Sequence, residues 1–325
     1  VSVPDLERLE RAAALERPAR AKRMLVIVNP YATTMSDRLK HLVVYALQGR
    51  YEVEAVDTQR RGHAIELCRE AATEGYDVVC AFGGDGTVNE AANGLAGSRT
   101  PLTCLPGGST NVYCRLLGIP NDVIDATEHL LGMADDWQPR DVDLAQVNGR
   151  WFTFSSGVGL DASVVERVDR HPHLKARLGA YYYTEAAVAT FLGRYVVRPP
   201  RLEVEVAGER LTGVSAFVQN GCHYTYFRRR PIDLVDGADL GSGSLAGVVL
   251  TRASPADMPT VIWRAFSSRA KIERHRRGAS FAAVDDLVVR SADERPVPLQ
   301  VDGDYIGDVP EARFSVAAGK LRVVS

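Results

Sequence analysis

Residues 24–118 alternate between short apolar runs and amphipathic stretches. MLVIVNP (24–30) is an apolar run closed by Asn-Pro, which reads as a buried strand. SDRLKHLVVYALQG (36–49) reads as a helix opened by Ser36 and closed by Gly49. YEVEAVDT (51–58) alternates like a strand, and GHAIELCREAATEG (62–75) is again helical, with Gly75 as its stop. YDVVCAF (76–82), TVNEAANGLAG (87–97), TPLTCLP (100–106) and NVYCRLLG (111–118) continue strand, helix, strand, helix. Such alternation predicts a parallel α/β sheet with helices on both faces.

Near residue 140 the pattern changes. VDLAQVNGRWFTFSSGVG (142–159) reads as a hairpin turned at Asn148-Gly149, and RLEVEVAGERLTGVSAFVQNG (201–221) as another, with Gly208 near its turn. Further strand-like runs lie at 244–250, 285–291, 297–304 and 320–325, with helices expected over about 161–196 and 255–277. The expected organisation is a charged extension over 1–22, an α/β domain over 23–139 and a β-rich antiparallel domain over 140–308. Residues 309–325 form a C-terminal segment returning to the first domain.

Composition narrows the classes. The 325 residues are 46% hydrophobic and 25% charged, with a net charge of −2, which is ordinary for a globular chain and gives no global signal for nucleic acid. Five cysteines without CxxC spacing read as free thiols in a reducing compartment. No apolar run approaches the roughly 20 residues of a spanning helix, and the charged start is unlike a secretory leader. The expectation is a cytoplasmic protein whose membrane contact is peripheral, at the inner face.

GGDGT (83–87) follows a buried strand and opens a helix. Gly83, Gly84 and Gly86 let the backbone approach phosphate oxygens without a Cβ, and the helix start offers N–H donors and a positive dipole end. Asp85 would repel bare phosphate, so a bridging Mg²⁺ is expected beside it, and Thr87 can donate a hydroxyl or cap the helix. PGGSTN (106–111) repeats the arrangement after the next strand, adding Gly108, Ser109, Thr110 and Asn111. Taken singly, these residues suit ordinary turn and cap chemistry. Together the loops make a nucleotide phosphate site the favoured reading. GxxxxGK[ST], GxGxxG and GxSxG are all absent, and the seven histidines form no metal cluster.

With GVGLDA (157–162) and QVDGD (300–304) added, the chain from 24 to 325 resembles the diacylglycerol kinase catalytic family, which includes bacterial diacylglycerol kinases and the related sphingosine and ceramide kinases. GGDGT followed directly by Asn89-Glu90 is its most specific part; in the similar NAD kinases the Asn-Glu pair comes much later. The resemblance implies an α/β nucleotide domain, a β-rich domain and an active site between them, where ATP and Mg²⁺ serve transfer of the γ-phosphate to a lipid hydroxyl, diacylglycerol first. It implies nucleotide contacts from Asn29, Thr58, the GGDGT loop and Ser109. It also implies a catalytic base in the Asp302/Asp304 pair and a place near the lipid acceptor for Asp161. A homodimer is among the expected partners.

The chain departs from the family at several points. NPYAT ends in Thr33 where Gly is usual, Val112 follows Asn111 as in the sphingosine-kinase form, and Asp304 stands where Glu is common. Leu240-Gly241-Ser242-Gly243-Ser244-Leu245-Ala246 replaces a carboxylate-rich structural-metal stretch, and HYTYF (223–227) replaces glycines. Read from residues alone, Asp302-Gly303-Asp304 is equally a tight turn with two solvated carboxylates, and Asp161 equally a helix N-cap. Three segments carry the aromatic or basic character expected of a membrane contact: WRAFSSRAKIERHRRG (263–278), with Arg274, Arg276 and Arg277, YTYFRRRP (224–231) and YYYTEAAVATFLGRY (181–195). Each is also readable as a core helix or a solvated loop. The alternatives are a sphingoid-base kinase, a metabolite kinase similar to NAD kinase and a catalytically dead lipid-binding protein.

Overall fold

The computed structural model describes residues 7–9, 11, 21–171, 174, 180–196, 199–227, 229–267, 269–293 and 295–325. Most of the expected extension (1–22), His173 and Arg228 therefore lie outside the described residues. The chain divides into two compact units: residues up to Val142 with Gly319–Ser325, and Asp143–Ala318. The division thus falls at 142/143, and the return at 318/319.

In the first unit four strands run parallel: β1 (Lys22–Val28), β2 (Tyr51–Asp57), β3 (Val78–Gly83) and β4 (Leu102–Pro106), in the order β2-β1-β3-β4. Strands β3 and β4 are buried along their whole length, as helix-covered parallel strands require. Helices α1 (Asp37–Gln48), α2 (His63–Glu74) and α3 (Asp85–Leu95) make the crossovers, and α4 (Val112–Leu116) and α5 (Val123–Gly132) follow β4. Ser36 caps α1 by accepting from Leu39 N at 3.3 Å.

The second unit is antiparallel. β5 (Arg140–Val147, entering from the first unit) and β6 (Arg150–Phe152) form the hairpin at Asn148-Gly149, whose φ angles of 48° and 85° suit a two-residue primed turn. One sheet runs β14 (Gly278–Val284), β13 (Leu245–Leu250), β10 (Ser215–Gln219), β7 (Ser155–Gly159), β16 (Val297–Val301), β17 (Asp304–Val309). Strands β8 (Leu202–Val206), β9 (Glu209–Gly213) and β15 (Asp286–Ser291) pair beside the final strand β18 (Glu311–Val323). Side chains from both groups, among them Phe152, Val218, Val249, Val289 and Phe314, meet in one apolar core.

Two expectations need correction. Residues 201–221 are three strands rather than one hairpin, because the chain changes sheets at Gly213, where a Cβ would lie 2.8 Å from Leu250 O. The helix expected over 255–277 covers only Met258–Ala265 (α8), and Gly278–Val284 is an unanticipated strand. Arg276 and Arg277 are drawn instead to the buried carboxylate of Asp257, with both Nε atoms at 3.2 Å. The helical stretch near 161–196 contains α6 (Leu160–Asp169) and α7 (Ala180–Thr190), the latter continued by a π turn over Phe191–Tyr195.

Candidate active site

In the strand order β2-β1-β3-β4 the chain reverses its winding direction between β1 and β3. Ligands of open parallel sheets collect at such a switch point, beyond the carboxyl ends of the strands. Asn29 follows β1 there, and GGDGT follows β3. Asn29 N donates to Phe82 O at 2.9 Å, and its Nδ2 to Thr87 Oγ1 at 3.1 Å, so the amide joins the two strand ends. Thr58 N extends the neighbouring pair through Val28 O at 2.8 Å.

The two glycine loops are locked to each other through backbone. Gly107 N donates to Gly83 O at 2.8 Å. A Cβ at Gly107 would lie 2.9 Å from Gly83 Cα, and one at Gly108 would lie 2.9 Å from Gly84 Cα. The glycines therefore serve loop-on-loop contact as well as any phosphate. Asn111, buried and at φ 48°, accepts from Gly108 N at 2.8 Å and donates to Gly108 O at 2.9 Å and to Asn121 Oδ1 at 3.0 Å, which shapes PGGSTN from inside. Ser109 is exposed and Thr110 half-buried at its tip. Asp85 Oδ1 accepts from Tyr113 N at 3.1 Å, tying the carboxylate to the start of α4. Glu90 accepts from Gly62 N at 2.8 Å and Ala64 N at 3.3 Å, so it caps α2. The family-specific Asn-Glu pair thus contains a structural residue.

In the second unit the acidic residues separate in character. Asp302-Gly303 is the two-residue turn between β16 and β17, with φ angles of 48° and 83°. The Asp302 side chain is buried, and its carboxylate accepts from Thr153 N at 2.7 Å, Thr153 Oγ1 at 2.8 Å, Phe154 N at 3.0 Å and Ser155 N at 3.1 Å. Burial pushes this carboxyl up from its ordinary range while the four donors favour the anion. The tight turn is present, but the Asp302 carboxylate is buried rather than solvated. Asp304, first residue of β17, is half-buried.

Asp161 is not the N-cap of α6; Gly159 occupies that position, at φ 93°. Asp161 Oδ2 instead accepts from Tyr224 OH at 2.5 Å and Gln300 Nε2 at 2.8 Å, and Gln300 Nε2 is 2.9 Å from Tyr224 OH. Gln300 Oε1 in turn accepts from Gly303 N at 2.9 Å, which links Asp161 to the QVDGD turn. Burial raises the Asp161 carboxyl, against the pull of its two donors, and raises the Tyr224 phenol well above its usual value. Gly157 makes room, since a Cβ there would lie 2.2 Å from Asp161 Oδ2. Tyr224 and Gln300 were not singled out from sequence, although both stand inside stretches with a family resemblance or departure, HYTYF and QVDGD.

Beyond these sites, Asp143 Oδ2 accepts from Gly243 N at 2.6 Å in the stretch lacking the family's carboxylates, Asp239 Oδ1 accepts from Gly241 N at 3.0 Å, and Asp236 pairs with Lys271. Among the described residues no helix is long and apolar enough to cross a membrane.

Residues 23–147 match the model of the diacylglycerol kinase catalytic domain, a span that takes in both glycine loops and every strand of the switch point. Over that segment the chain is similar to the diacylglycerol kinase catalytic domain. The similarity extends past the family segment. The chain is 28% identical to a diacylglycerol kinase of Bacillus subtilis (strain 168) over 298 residues, covering 89% of this chain and 92% of that one. It is 26% identical to a diacylglycerol kinase of Staphylococcus aureus (strain MRSA252) over the same length, covering 89% and 88%. A crystal structure of a diacylglycerol kinase from Bacillus anthracis str. Sterne superposes with a TM-score of 0.70 at 22% identity, covering 94% of this chain and 98% of that one. The kinase-family fold therefore extends over both units.

Proposed function

We propose that this chain is an ATP-dependent lipid kinase that transfers the γ-phosphate to the hydroxyl of diacylglycerol at the cytoplasmic surface of a membrane. The observation that carries this reading is the pair of interlocked glycine loops at the β1/β3 switch point, inside the segment that matches the family. Backbone N–H groups of Gly84, Gly86 and Ser109 are the donors for phosphate oxygens, Gly108 N being held by Asn111 Oδ1, with Asn29, Thr58, Thr87 and Thr110 around them. The Asp85 carboxylate and Thr87 hydroxyl are hard oxygen donors of the kind Mg²⁺ takes, and Asp85 is held in place by Tyr113 N. When bound with the nucleotide, Mg²⁺ supplies charge neutralisation at the phosphates.

For the acceptor, Asp304 is the base. Asp302 has its carboxylate committed to four donors and acts as a positioning residue for the turn that carries Asp304. The Asp161–Tyr224–Gln300 network orients the acceptor hydroxyl, since Asp161 Oδ2 accepts from Tyr224 OH and Gln300 Nε2, and Gln300 Nε2 also donates to the phenol oxygen, close to that turn. A lipid panel with γ-labelled ATP and Mg²⁺ tests the reading. Diacylglycerol should be labelled ahead of sphingosine, ceramide and NAD. Label in NAD alone, or none in any lipid, defeats it.

A further inference from the structure

The second unit carries a cavity of 190 Å³ between α6 and the α7 helix with its π turn, lined in part by Ser163, Glu166, Arg167, Arg170, Thr190 and Arg194. Arg170 donates to Glu166 at 2.5 Å, and Arg194 stands 3.4 Å from both Glu166 and Ser163 Oγ. Arg167 lies 3.5 Å from Glu185. Three guanidinium groups thus share two carboxylates. A guanidinium carries five N–H donors, and these contacts engage one or two in each. The cavity suits a tetrahedral oxyanion that would accept from the remaining donors.

The adjoining face of the same helix is apolar and exposed. Tyr181, Val188 and Leu192 are 64%, 47% and 53% exposed, and their spacing of seven and four residues sets them in one stripe. Val196, just past the π turn, is also exposed. A soluble anion has no use for such a stripe, whereas a phospholipid offers a phosphate and acyl chains together. The basic residues expected to meet a membrane from 263–278 are also engaged. Arg276 and Arg277 pair with Asp257, and Arg264 donates to Lys271 O at 3.3 Å.

We propose that this face docks on an anionic bilayer, with a lipid phosphate in the Arg167/Arg170/Arg194 cavity and the Tyr181–Val188–Leu192 stripe among the acyl chains. The proposal deepens the lipid-kinase reading by naming the surface through which the enzyme meets its substrate's membrane. Its test is binding rather than turnover, so a chain that binds without phosphorylating fails only the kinase reading.

Phosphatidylglycerol–phosphatidylcholine vesicles should sediment the protein in a salt-sensitive way, and pure phosphatidylcholine much less. Arg167→Ala, Arg170→Ala and Arg194→Ala should each weaken that binding about fivefold, the roughly 1 kcal/mol that a basic side chain contributes near an anionic surface. Leu192→Ser, at an exposed position, should weaken it with the melting temperature unchanged, which covers the case of an arginine variant that misfolds. Inorganic phosphate at constant ionic strength should weaken vesicle binding by the parent more than by the arginine variants, without abolishing it, because the apolar stripe still inserts. The proposal is overturned if phosphate abolishes binding altogether, if the folded arginine and Leu192 variants bind like the parent, or if Trp263→Ser on α8 abolishes binding while they do not.

Discussion

Asp302 is buried, and Asp304, two positions on, is half-buried. Asp302→Asn would turn an amide N–H₂ toward backbone donors, or leave N–H groups unsatisfied. Its cost should be about 1–3 kcal/mol of stability, read by urea unfolding. Asp304→Asn should leave unfolding nearly unchanged and lower kcat about 10²–10⁴-fold with little change in KM for ATP, the span of a general base. If Asp304→Asn keeps its kcat, Asp161 becomes the next candidate. A second prediction concerns His223, whose imidazole Nδ1 lies 2.5 Å from Asp233 Oδ1. That hydrogen bond, helped by Cys222, raises the imidazole from 6.5 to about 9. A raised folded-state value favours the imidazolium. The stabilisation is therefore fully present below about 6.5, the unfolded value, and is lost as pH rises through about 9. The stability gap between parent and Asp233→Asn, followed by denaturant melts across that window, should close with rising pH. A gap constant with pH would remove the ion pair from the account.

Among the elements, the loops after β3 and β4 behave as one unit because glycine backbones touch. Gly107→Ala would place a methyl 2.9 Å from Gly83 Cα, where no flexible side chain can yield. Overpacking of this kind costs about 1–3 kcal/mol, so the variant should lower the unfolding midpoint as well as nucleotide affinity. A loss of affinity alone, at parental stability, would mean that the glycine serves phosphate rather than loop contact. Glu90 makes a parallel case in helix capping. Glu90→Ala removes the acceptor for Gly62 N and Ala64 N and should cost about 0.5–2 kcal/mol by the same denaturant measurement.

For the whole molecule, the last strand binds the chain's end to its beginning. Gly97 N donates to Lys320 O at 2.7 Å, Val323 pairs with Leu102, and Val324 N donates to Leu102 O at 2.9 Å, all within the first unit. Removing residues 319–325 would leave the edge of β4, a buried strand, uncovered. The truncated chain should lose thermal stability, and protease should cut the first unit, residues 21–142, before the second. Equal resistance of both would show that the returning strand contributes little.

The alternation of β1 through α4, the Asn148-Gly149 turn and the placement of GGDGT and PGGSTN were all legible in the sequence. Each rests on residues close together in the chain: a period of side chains, a turn dipeptide, or glycines directly after an apolar run. The change of sheet at Gly213 and the short α8 were not legible, because they answer to Leu250 and Asp257, partners reached only in the folded chain. The same holds for the acceptor side of the site. Asp161 meets Tyr224 and Gln300, and Asp302 meets Thr153, Phe154 and Ser155, across separations of 63 to 149 residues. No local pattern encodes such pairs, since burial and hydrogen bonding at those distances depend on how the sheets register. The sequence by itself determined where the glycine loops follow their strands; the tertiary structure alone decided that the Asp302 carboxylate is spent on holding its turn and that Asp161 meets Tyr224 and Gln300, because those partners come together only when the sheets register.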